Sequence, residues 1–283
     1  MDQSFVMNVP FVNSVFHPSD FSPASENAFA HALAIALVRK TAFTILHVGG
    51  SRADWKKFPA VRATLERWGL LEEGSRKSAV FDQLSLRVKK VMLKDRHPVK
   101  ATLEYLKKHP TDLIVLATEG REGLPRWLRH SVAEGIASRS DTKTLFVPAG
   151  AKGFVSVRDG TISIRRILVP VDREPSPLPS IEYAIRMAEA MSEPVEIFLL
   201  HIGGPESMPA LELPERASCR WKTEQLEGDV VDLIAGKAEE LDADLIIMTT
   251  AGREGILDAL RGSVTQQVLR RTPCPLLAVP VNG

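Results

Sequence analysis

The chain has 283 residues, enough for two domains of ordinary size, with 44% hydrophobic and 25% charged residues, the proportions of a water-soluble globular protein. A net charge of +1 and the lack of any Lys/Arg block exclude a general nucleic-acid binder. Two cysteines, Cys219 and Cys274, are too few for a disulfide framework and point to a reducing cytoplasm. Residues 1–20 lack the pattern of a signal peptide, and no apolar run reaches the roughly 18 residues of a membrane helix, so no membrane partner is expected.

In chain order, Pro18-Ser-Asp20 closes a first strand, and Ser22-Pro23 reads as an N-cap followed by proline at the first helical position. Ala30, Leu33, Ala34 and Leu37 then form an apolar helical stripe. Strands are expected over 41–48, 86–93, 113–116 and 144–147. Between the second and third of the sequence, Trp55, Phe58, Val61, Leu65 and Trp68 share one face of an expected helix, within an insertion of about residues 51–80. That helix could pack on its own domain, cover the first crevice as a lid, or offer a partner surface around Trp55 and Trp68.

Residues 154–164 alternate on both sides of Asp159-Gly160, which predicts a linking β-hairpin over 151–164 with φ > 0 at both turn positions. Beyond it come a strand at 167–171, a helix at 180–191 and a strand at 195–202. A strand within 216–224, a helix at 229–241, a strand at 245–248, a helix at 263–271 and a strand at 276–279 complete the series. Strands alternating with helices imply a parallel sheet covered on both faces, a doubly wound α/β fold.

The series is an internal repeat. Asp112, Gly120, Ser131 and Pro148 recur as Asp244, Gly252, Ser263 and Pro280, all at an offset of 132. Upstream the offset is 154 between His47 and His201, so the first copy is 22 residues longer between His47 and Asp112. The expected layout is a first domain at 1–150, the hairpin at 151–164 and a second domain at 165–283.

Ligands of doubly wound sheets sit at the carboxyl ends of strands where strand order reverses. Asp20 and Asp172 end the first strand of each copy, and glycine-containing loops follow each fourth strand. If first and fourth strands are neighbours, these features share a crevice. Ser263 either caps the following helix, as the Ser-x-x-Gln spacing to Gln266 allows, or binds an anion at that helix's start. His47 and His201 are either structural imidazoles or metal ligands, and no His/Cys spacing fits zinc. Asp20 and Asp172 could help hold Mg²⁺ on a nucleotide, but each lacks a second nearby carboxylate, so no catalytic pair is named.

The second copy resembles the nucleotide-binding pattern of universal stress proteins after the fourth strand: Gly252, nine residues, then Gly262-Ser263. The resemblance extends to both halves, through the Val-Pro-x-Asp first strand and the histidine ending the second. It implies a tandem universal stress protein with two five-stranded, adenine nucleotide alpha hydrolase-like sheets. Pairing of the last strands of the two copies would make an internal pseudo-dimer. It also implies a stress-response role, with ATP or a related adenine nucleotide bound in the second domain as a sensor or switch. The positions it marks are Pro170, Val171, Asp172, Ile202, Thr249, Ala251, Gly252, Gly262, Ser263, Val264 and Thr265. The family's first glycine is Thr249 here, a residue ill-suited to the φ > 0 that glycine often supplies. The first copy keeps only a degenerate site at Asp20, Val48, Gly120, His130 and Ser131, with Ala117 and His130 replacing glycines. Two other readings stay open: a scaffold for a protein partner or homodimer with both crevices empty, and a slow ATP hydrolase.

Overall fold

The computed structural model describes residues 12–49, 52–118, 132–137, 140–251 and 264–281. In the first half the strands are β1 (Ser14–Pro18), β2 (Ala42–Val48), β3 (Arg87–Leu93), β4 (Leu113–Thr118) and β5 (Lys143–Pro148). In the second they are β6 (Arg166–Pro170), β7 (Val195–Ile202), β8 (Cys219–Leu226), β9 (Leu245–Thr250) and β10 (Leu276–Pro280). They form one ten-stranded sheet in the order β3-β2-β1-β4-β5-β10-β9-β6-β7-β8. Each half is a parallel five-stranded unit, and the two are joined by antiparallel pairing of β5 with β10 within one chain. The two sheets expected from the repeat are thus fused into one.

The helices are α1 (Pro23–Val38), α2 (Val61–Arg67), α3 (Ala79–Asp82), α4 (Pro98–Lys108), α5 (Val132–Ala137), α6 (Leu178–Glu189), α7 (Val230–Glu240) and α8 (Val264–Leu269). Ser22 caps α1, its side chain accepting from the Ser25 amide, with proline in the first turn. Buried residues of α1 and α6 pack with Val15, Val115, Val169 and Ile247 on one face of the sheet. Those of α7 and α8, with Leu106 of α4 and Ile136 of α5, pack with Phe16, Leu168, Ile246 and Leu276 on the other. Alternation along the strands places Phe16 and Val15 in different layers, as period 2 requires.

The insertion is not one helix. A 3-10 turn at Arg52–Lys57 is separated by Pro59 from α2, and α3 follows. Proline lacks the N–H that a continuous helix would need at that point. Phe58, Val61, Leu65 and Trp68 are buried in the layer that holds α1, so the insertion packs on its own half. The exposed patch expected around Trp55 and Trp68 does not form: Trp55 is 46% exposed, but Trp68 only 7%.

Trp68 meets the linker. Its indole N–H donates to the Val157 carbonyl at 3.0 Å. The linker makes one antiparallel bridge, Val155 to Ile162. Its turn differs from the expected two-residue form. Only Gly160 has positive φ (74°), and the Gly160 amide closes onto the Ser156 carbonyl at 2.8 Å. The loop therefore spans 157–160, and a single left-handed glycine suffices.

Candidate functional site

First and fourth strands are neighbours in both halves, β1 beside β4 and β6 beside β9. Their pairing is brief: Ile167 and Leu168 pair with Leu245 and Ile246, and the register goes no further. Strand order reverses there, and the diverging C-terminal ends of β6 and β9 open a crevice.

In the second half a cavity of about 300 Å³ lies at these ends. Pro170, Val171 and Asp172 reach it from the end of β6, Ile202 from β7, Thr249 and Ala251 from the end of β9, and Val264 and Thr265 from α8. The structure therefore brings together eight of the positions named from the sequence. Gly252, Gly262 and Ser263 lie outside the described residues, as do Gly120, His130 and Ser131 of the first half. Leu200, Ile234, Met248 and Phe146 supply much of the apolar remainder. An apolar cleft with a few convergent polar groups is the usual form of a small-molecule site.

Asp172 lies two residues beyond the end of β6, exposed, with Oδ1 accepting the Arg173 amide at 2.7 Å. Glu174 lines the same cavity, so Asp172 does have a second carboxylate on its rim, contrary to the sequence expectation. Among the described residues no group of three His, Cys, Asp or Glu side chains could hold a metal.

Thr249 is not strained. It continues β9 without positive φ, and its Oγ1 lies 2.5 Å from Ser180 Oγ and accepts the Ser180 amide at 3.3 Å. Here threonine ties the first turn of α6 to the strand end, a role glycine could not fill.

In the first half, Asp20 is exposed and its Oδ1 accepts the Ser22 amide at 2.9 Å, just before α1. Val48 is half-buried at the end of β2. Bulk differs between the halves: Phe16 stacks on Tyr105 with ring centroids 5.9 Å apart, while Leu168, which pairs with Ile246 as Phe16 pairs with Ile114, and Lys237 stand at the matching positions of the second half.

Both strand-end histidines are held by protein groups. His47 Nδ1 is 2.7 Å from the Ser19 carbonyl, and its ring stacks on Phe21. His201 Nδ1 is 3.0 Å from the Val171 carbonyl, and its Nε2 is 2.9 Å from Ser207 Oγ. With both ring nitrogens occupied, His201 serves the fold. Both cysteines are buried and free, and burial pushes the Cys274 thiol up to about 12, which leaves it unreactive.

Sequence reasoning missed one wall of the cavity. Ala137, Ser140, Thr142 and Thr144, all of the first half, line it as well. The expected pairing of the two last strands was the available signal, since it sets each half's final strand against the other's crevice.

The family model described as the universal stress protein family matches residues 14–148 and 210–280, well over half of the chain. The chain belongs to the universal stress protein family. A universal stress protein of Methanocaldococcus jannaschii is 28% identical over 165 residues, covering 48% of this chain and 96% of that protein. A universal stress protein of Mycobacterium tuberculosis is 23% identical over 288 residues, covering 91% of this chain and 94% of that one. The crystal structure of a universal stress protein from Archaeoglobus fulgidus superposes with a TM-score of 0.61 at 17% identity, covering 95% of this chain and 96% of that chain. The universal stress protein fold thus extends over both halves. No helix among the described residues is long and apolar enough to cross a membrane.

Proposed function

We propose that this universal stress protein binds an adenine nucleotide, ATP or a close relative, in the crevice of its second half, and acts as a sensor or switch rather than as an enzyme. One observation supports the reading above all. Eight residues marked by the family's nucleotide-binding pattern come from four separate stretches of chain, yet line one cavity of about 300 Å³. Asp172, exposed on the rim, suits the hydroxyls of a ribose, and Ile202 and Met248 suit the face of a base. We read residues 1–150 and 165–283 as two domains joined by 151–164, with the nucleotide assigned to the second. Magnesium gains no built site from the described residues. Two rim carboxylates fall short of the six oxygens it prefers, so phosphate oxygens and water would supply the rest.

The test is mass spectrometry of small molecules released on denaturing protein purified without added nucleotide, with Ile202→Trp alongside to fill the cavity. Adenine nucleotide from the wild type and none from the variant supports the reading. No nucleotide from either, together with no heat of binding for added Mg-ATP, moves the assignment to a partner-binding scaffold.

A further inference from the structure

Antiparallel pairing at the centre of the sheet has a geometrical consequence. Leu276 lies opposite Phe146 and Ala278 opposite Thr144, so the C-terminal end of β10 adjoins the N-terminal end of β5. The second crevice opens at the C-terminal ends of its strands. Residues leading into β5 are therefore carried from the first half to the rim of the second half's crevice. Ala137, Ser140, Thr142 and Thr144 line it.

The repeat shows how unusual this wall is. At the offset of 132, Ala137, Ser140 and Thr142 correspond to Leu269, Thr272 and Cys274. All three counterparts are buried. Thr272 Oγ1 is satisfied locally, donating to the Cys274 carbonyl at 2.9 Å and accepting the Cys274 amide at 3.3 Å. Ser140 is only 9% exposed, and its Oγ, shielded from solvent, has no hydrogen-bond partner among the described residues. A buried hydroxyl without a partner is rare and destabilising. Ala137 also leaves open the space that Leu269 fills at the counterpart position.

We propose that the second crevice is a composite site: the first half supplies one wall, and the Ser140 hydroxyl, turned about χ1 from its shielded position, hydrogen-bonds the nucleotide held there. The inference rests on the nucleotide reading above and adds to it a specificity-determining residue from the other half. The ligand then bridges the β5–β10 seam, and its binding is coupled to how the two halves are joined.

The experiment compares ATP binding by calorimetry for full-length wild type, Ser140→Ala and Ala137→Leu, with urea denaturation of each protein free of nucleotide. Ala137→Leu places the second half's own residue on the wall. The expected result is about five- to ten-fold weaker binding for Ser140→Ala, the loss of one hydrogen bond. Its nucleotide-free stability should rise, because an unpaired polar atom is removed. Ala137→Leu should weaken binding at least as much while still unfolding cooperatively. Wild-type binding with both variants within two-fold of it overturns the composite site and leaves the nucleotide reading intact. A fall in nucleotide-free stability for Ser140→Ala also overturns it, since the hydroxyl would then have a protein partner. No ATP binding by any of the three overturns the nucleotide reading, and this inference with it.

Discussion

The Asp244 carboxylate clasps the start of β6: its Oδ2 accepts the main-chain N–H of Arg166 at 3.0 Å and that of Arg165 at 2.7 Å. Asp112 does the same work in the first half, accepting the Asn13 amide at 2.8 Å and the Ser14 hydroxyl at 3.1 Å. The repeated aspartate thus fixes the start of the fourth strand against the start of the first. Asp244→Ala leaves two strand amides without their acceptor. The expected loss is about 2–3 kcal/mol by urea denaturation, with Asp244→Asn losing less because its amide oxygen can still accept. Unchanged stability in Asp244→Ala would show that water replaces the carboxylate at no cost.

Trp68 joins the insertion to the linker through its indole N–H and the Val157 carbonyl, and a Cβ at Gly160 would overlap its ring. Gly160 also has φ of 74°, a conformation that side chains disfavour. Gly160→Ala should therefore cost more than the usual roughly 1 kcal/mol for a left-handed glycine. Trp68→Ala should cost about 3–5 kcal/mol, and the double variant less than the sum of the two, because the clash vanishes with the ring. Strict additivity would refute the contact.

Regular elements were legible because their signals are local. β7 occupies the expected stretch 195–202, and Ser22 caps α1 as its position before Pro23 implies. What the residues could not reveal depends on packing or on backbone geometry. Five apolar residues at helical spacing suggested one helix, but Pro59 divides the segment into a turn and α2. Asp159-Gly160 marked a turn correctly, but the alternation around it could not set the loop length. Thr249 looked ill-placed because its partner, Ser180, is 69 residues away. The wall containing Ser140 is visible only once β5 and β10 are paired antiparallel, which no pattern within one repeat encodes.

Two buried histidines predict acid sensitivity. His17 lies 2.9 Å by Nδ1 from the Val115 carbonyl and 3.2 Å by Nε2 from Ser25 Oγ. His31 lies 2.8 Å by Nδ1 from the Asn27 carbonyl and accepts the linker's Val155 amide at Nε2, 3.3 Å away. Burial, which outweighs the backbone hydrogen bonds, lowers both pKa values from 6.5 to about 4. The unfolded chain then binds more protons than the folded one below about pH 6.5, so stability is full above that pH and falls as pH drops towards 4. Each histidine should remove about 1.4 kcal/mol between about pH 7.5 and 5.5. Urea midpoints across that range measure the slope, and His31→Gln should abolish about half of it. A flat profile in the wild type would mean that neither imidazole needs to stay neutral.

Thr249 separates the demands of fold and ligand. Its hydroxyl ties β9 to Ser180 at the start of α6, while its position on the cavity lining is where the family pattern has glycine. Thr249→Gly removes that tie and adds backbone freedom within a strand, for an expected loss of about 1–2 kcal/mol. The same change enlarges the cavity. If the crevice admits a nucleotide, ATP affinity measured by calorimetry should hold or rise while stability falls. Thr249→Val, which keeps the shape and drops the hydroxyl, should lose the tie without enlarging the cavity. Parallel loss of stability and affinity in both variants would mean that threonine positions the crevice itself, through the anchored first turn of α6, instead of merely standing at its edge.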